Sequence, residues 1–188
     1  MNTQSLVSLG RECTAGLVLL SAIAARERPN ALSEVSECHR RASSLLADLH
    51  TELFRVFLPP LSRADMGCLG EGLHRISDAV FAAAMIAQHT PAALQKRCEE
   101  LEGLCRLAKL LEEGISTLPS LAQGKHPPPP DTYLFYAEQN KVRAAHAKSV
   151  LYMEHSLNDR ALGTALADVA HRLDDAHRSL IVLMLESV

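Results

Sequence analysis

The sequence predicts an all-α fold, a six-helix bundle, and three observations carry that prediction. Of 188 residues, 47% are hydrophobic but only 4% are aromatic, with no Trp. Apolar volume supplied by Ala, Leu, Val, Ile and Met suits helix-on-helix packing better than a β-sandwich. Apolar residues recur at steps of three and four, and no segment alternates with period two for long enough to form a strand.

Gly and Pro set the element boundaries. A first helix, roughly Thr3 to Arg26, stops before Arg28-Pro29-Asn30. A second begins near Ala31 and carries Val35, Cys38, Ala42, Leu45, Leu49, Leu53 and Val56 at helical spacing until Pro59-Pro60 ends it. Ser62 caps a third, whose stripe is Met66, Leu69, Leu73, Ile76 and Val80. His89-Thr90-Pro91 marks a stop, a cap and a first-turn proline. The fourth helix then continues through Leu94, Leu101, Leu104, Leu107 and Leu111 to Gly114. Gly124 to Pro130, with four consecutive prolines, reads as an extended spacer. A fifth helix, about Thr132 to Ser156, follows it, with Tyr133, Phe135 and Tyr136 expected to anchor it in the core. The sixth, about Asp159 to Glu186, has a bundle seam at Leu162, Leu166, Val169, Leu173, Ala176, Leu180 and Leu183. One domain spans 1–188, in halves of about 1–123 and 131–188 joined by the linker 124–130.

Charge and motifs narrow the function. Charged residues are 22% and the net charge is -3, which disfavours both wholesale disorder and a basic nucleic-acid binder. The apolar run from Ala15 to Ala25 is too short to span a bilayer and lacks a basic lead and a cleavage site. Five cysteines form no CxxC pair, and the odd count argues against a disulfide framework. The cytoplasm is the expected compartment. No HExxH, GxSxG, Walker loop or dinucleotide fingerprint occurs, so no enzyme activity is expected. Leu180 to Leu185 is apolar around the whole helix, which calls for cover by neighbouring helices or by a second subunit. Self-association is favoured over membrane contact, because Lys and Arg do not cluster nearby.

The most informative local feature occurs twice. Leu69 to Ala79 aligns without gaps with Leu166 to Ala176, and both copies read acid-x-x-His-Arg-x-x-Asp. On a helix, Glu71, His74 and Asp78 form one ladder, and Asp168, His171 and Asp175 another. Two readings stand side by side. Glu71–Arg75 and Asp168–Arg172 are i,i+4 ion pairs in the favourable orientation, each worth ~0.2–0.5 kcal/mol, so a solvated face explains the pattern. Alternatively, His and Asp four apart present an imidazole and a carboxylate to a divalent metal, zinc or iron. One such pair supplies two ligands, so ligand count favours the solvated face.

The stretch Glu52 to Met66 (ELFRVFLPPLSRADM), continuing to Leu73-His-Arg-Ile-Ser-Asp78, resembles the PhoU-like accessory proteins linked to Pit-type phosphate transporters. Thr90 to Leu94 and Val169 to Val188 are also similar to that family. The resemblance implies two three-helix repeats in one bundle, a cytoplasmic location at or near the inner face of the membrane, and a phosphate transporter or its regulatory protein as partner. It also implies metal binding on acidic helix faces. His74-Arg75 and His171-Arg172 stand where two acids are usual, and Ser62 and Ala64 replace acids in the connecting segment. His39, Ser43, Gln139 and Lys141 lie near the places of further acidic motifs. A weaker His/Asp site, or none, is what the resemblance carries over.

Overall fold

The computed structural model describes residues 3–28, 31–55, 61–153 and 156–186, with the backbone alone at 152 and 153. Pro29, Asn30, Val56, Phe57, Pro59 and Pro60 lie outside the described residues, and with them part of two expected breaks and of the family-like stretch. Among the described residues all regular structure is α-helical: α1 (Gln4–Ala24), α2 (Leu32–Arg55), α3 (Arg63–His89), α4 (Pro91–Gln95), α5 (Cys98–Ile115), α6 (Leu118–Leu121), α7 (Thr132–Met153) and α8 (Leu157–Leu185).

The helix starts follow the local chemistry. Ser62 accepts from the Asp65 amide at 3.4 Å, and Ser156 from the Asp159 amide at 3.1 Å. Each hydroxyl satisfies an amide that has no partner within its own helix. Asp131 does the same for α7, accepting from the Leu134 amide at 2.8 Å. Arg26 takes a left-handed conformation (φ 61°) just beyond α1, a position more often filled by Gly.

The fourth helix, expected to run to Gly114, is two segments, α4 and α5, with a short extra helix after it. The break falls at Arg97 (φ -111°, ψ 20°), and Pro119 opens the short α6. A proline lacks the amide that an interior helical position must donate, so α5 cannot run through it.

The first three long helices pack together, as do α5, α7 and α8, and these two three-helix groups meet where α1 lies on α5 and α3 on α8. One connected apolar cluster runs through both halves. Leu6, Leu9, Leu17 and Leu20 of α1 are wholly buried in it, each contributing about 1.5–3 kcal/mol. The continuous helix α1 reaches 21 residues and holds an 18-residue stretch of mean hydropathy 1.5, so length and composition alone would let it cross a membrane. The shorter run from Ala15 to Ala25 understated it, and half of its most apolar stretch is buried against the bundle.

Two other expectations change. The tetraproline segment packs as well as spaces, since Pro128, Pro129 and Pro130 wall a recess with Gly114, Phe135 and His177. Of the three aromatic residues that open α7 only Phe135 reaches the core, whereas Tyr133 is 86% exposed. At the end of α8, Leu180, Leu183 and Met184 are covered by neighbouring helices, while Val182 and Leu185 remain exposed.

Candidate functional site

The first ladder lies on α3, where its outer face meets α2. His74 and Asp78 are one turn apart, with His74 Nδ1 3.3 Å from Asp78 Oδ2. From α2, His39 Nδ1 comes within 3.6 Å of Asp78 Oδ1, and Ser43 Oγ lies 3.0 Å from His74 Nε2. His39 stacks flat on Phe81 with ring centroids 4.9 Å apart, which fixes the plane of its imidazole. One donor atom from each of His39, His74 and Asp78 falls within 4.8 Å of the other two. A tetrahedral zinc with bonds of 2.0–2.1 Å needs donors about 3.3 Å apart, so modest side-chain rotation would close the set. Two imidazoles and a carboxylate suit a first-row divalent ion, with one coordination position left open. Both histidines are half-buried and Asp78 is exposed, so an ion has access from solvent.

The rest of the first ladder is engaged elsewhere. Glu71 faces His50 of α2, with His50 Nε2 3.3 Å from Glu71 Oε1, in place of the expected pair with Arg75.

The second ladder does not converge. Asp168 makes the expected ion pair with Arg172 at 3.2 Å. His171 borders a recess against α5 and α7, together with Glu100, Gln139, Arg143 and His146. Asp175 turns the other way and shares a cleft with Glu71, Arg75 and His50 of the first half. The two ladder helices are therefore in contact, and a Cβ on Gly72 of α3 would stand 3.6 Å from the Ala176 Cα of α8. The difference between the ladders comes from the facing helix: α2 supplies His39 and Ser43, whereas α7 supplies Gln139 and Arg143.

His39 is the residue that sequence reading undervalued. Its signal was its place on α2 where the family-like pattern expects an acid. A second feature left no signal. Arg97 and Glu100 form a buried ion pair at 2.9 Å, and His146 Nδ1 donates to Glu100 Oε1 at 2.8 Å. All five cysteines are free. Burial pushes the Cys13 thiol up to about 12 and the Cys105 thiol to about 11, so both stay protonated and unreactive near neutral pH.

No family model and no curated protein matches the chain by sequence. A solved structure does resemble it: a PhoU-like protein from Shewanella oneidensis MR-1, known from a crystal structure at 2.00 Å resolution. The likeness covers 100% of both chains with a TM-score of 0.73 at 13% sequence identity. At that identity it establishes the fold alone: an all-α bundle of the PhoU-like kind.

Proposed function

We propose that this chain is a non-enzymatic regulator or accessory protein of inorganic phosphate transport, acting by binding a transporter or its regulatory protein at the cytoplasmic face of the membrane. The observation that carries the reading is the full-length likeness in fold to a PhoU-like protein, joined to the family-like sequence on either side of the α2–α3 connection. The exposed Val182 and Leu185 at the end of α8 give the same reading a surface for self-association. The test is uptake of radiolabelled phosphate by a strain lacking the gene, compared with the same strain complemented. Altered uptake restored by the wild-type chain supports the reading, and identical uptake in both strains overturns it.

A second reading, metal sensing or storage by a helical bundle, is favoured by the cluster of His39, His74 and Asp78. Calorimetric titration of the purified, chelator-treated protein with zinc, iron(II) and manganese tests it. His74→Ala should weaken binding at least tenfold, while His171→Ala, on a helix face without a carboxylate partner, should leave it unchanged. Metal affinity equal in wild type and His74→Ala would remove this reading.

A further inference from the structure

The recess between α5, α7 and α8 is built differently from the metal-type cluster, although it holds the matching place in the second half. Its volume is about 120 Å³, and Glu100, Gln139, Arg143, His146 and His171 border it. Glu100 carries the negative charge at its floor, but that charge is already matched. Arg97 Nη1 donates to one carboxylate oxygen at 2.9 Å and His146 Nδ1 to the other at 2.8 Å. A carboxylate can only accept, so this contact fixes Nδ1 as a donor and leaves His146 Nε2 for other partners.

Gln139 is 4% exposed, yet its amide makes no hydrogen bond with any described residue. The sealed polar atoms without a partner lie elsewhere among the described residues, at Asp174 and His177, so the Gln139 amide keeps access to solvent and is available to a ligand in the recess it lines. Arg143 lies at the rim, exposed and without a carboxylate partner among the described residues. His171 completes the wall from α8, and no ion pair engages it among the described residues.

The free donors thus comprise the Arg143 guanidinium, the Gln139 amide N–H₂ and a ring N–H of His171. No unpaired carboxylate borders the recess. We infer that this recess binds a small oxyanion, with Arg143 supplying charge and a forked pair of donors, Gln139 an amide donor and His171 a ring N–H. Glu100 holds the His146 ring in place as part of the wall. The size admits a tetrahedral phosphate or sulfate, or a carboxylate. A metal fits less well here, because Asp175, the ladder's carboxylate, faces a different cleft. The inference is independent of the transport reading, since it rests on the donor set alone.

The experiment is calorimetric titration of the chelator-treated full chain with inorganic phosphate, sulfate and acetate in separate runs. Saturable binding of at least one anion in the millimolar range or tighter is expected. It should weaken at least tenfold in Arg143→Ala, an exposed position whose loss leaves the core intact, and be unaffected in His74→Ala. The order among the three anions tells a tetrahedral ligand from a planar one. Gln139→Met, confirmed as folded by its helical circular dichroism, should also weaken binding. No saturation by any of the three anions, or equal affinity in wild type and Arg143→Ala, would overturn the inference. Saturable binding that is lost in Arg143→Ala, together with unaltered phosphate uptake in the strain lacking the gene, would leave the oxyanion site standing while the transport reading failed.

Discussion

Arg97 Nη1 donates to Glu100 Oε2 across 2.9 Å, and the two side chains are only 2% and 1% exposed. The N-cap of α5 and its first turn thus bury a complete ion pair, and Arg97 also donates to the Asp159 carbonyl of the α8 N-terminus at 3.3 Å. Removing one member strands the other charge away from water. Arg97→Ala should cost about 3–5 kcal/mol in urea unfolding. Lys148→Ala, which breaks the exposed pair with Glu99, should stay within roughly 1 kcal/mol of wild type. Similar losses for the two variants would show that burial does not set the strength of the α5 pair.

His177 provides a pH-dependent prediction. It is 1% exposed and stacked 3.8 Å from Phe135, and neither ring nitrogen has a hydrogen-bond partner among the described residues. Burial holds its imidazole below the ordinary value of 6.5, and the nearby Asp174 carboxylate, which pulls upward, offsets this only in part. An unfolded chain therefore binds this proton more readily than the folded one. The contribution is complete above pH 6.5 and is lost as pH falls from there through the lower folded value. Thermal midpoints measured from pH 8 to pH 5 should fall more steeply in wild type than in His177→Phe. Parallel curves would mean that His177 does not titrate in this range.

Phe81 supplies no ligand to the metal-type cluster, but it stacks on His39 with an interplanar angle of 1°. Phe81→Ala removes the surface that orients that imidazole while leaving all three candidate ligands in place. Zinc affinity should fall about tenfold, as is usual when a supporting group around a metal site is lost. The readout is the same titration used for His74→Ala, and an unchanged affinity would exclude His39 as an oriented ligand.

Two aromatic residues at the start of α7 should behave in opposite ways. Phe135 is 1% exposed and Tyr133 86% exposed. Phe135→Ala should destabilise by about 3–5 kcal/mol and release α7 from α8. Tyr133→Ala should change stability by no more than roughly 0.5 kcal/mol. Urea unfolding followed by circular dichroism distinguishes them.

The helices were legible because their signals are local. Ser62 caps where Ser stands before an acid, and the seams of α3 and α8 repeat at steps of three and four; Ser156, read as the end of the fifth helix, instead caps α8. The six-helix pattern missed the break at Lys96–Arg97 inside its fourth helix, where the apolar period continues across a turn, and the short α6 after that helix. The site was half legible. His74 and Asp78 could be paired because they share a face of one helix. His39 could not, because its partners lie on a different helix. Arg97 and Glu100 look like any solvated charges in the sequence, and only the position of α5 against α7 and α8 buries them. The two ladders read almost identically, yet their neighbours separate them, since an imidazole can face a carboxylate in one half and a guanidinium in the other.

The approach of α3 to α8 at Gly72 and Ala176 bears on how the chain reaches this state. The two segments are about a hundred positions apart, so their docking closes a long loop, and contacts of such separation slow folding. Helices α1 to α3 can gather early through shorter loops, but the face of α3 that carries Gly72 stays uncovered until α8 arrives. During that interval the apolar seam of α3 is open to the wrong partner, including α8 of another molecule. An exchanged dimer formed by reciprocal α8 docking is thus the characteristic misassembly for this architecture, and dilution during refolding should suppress it.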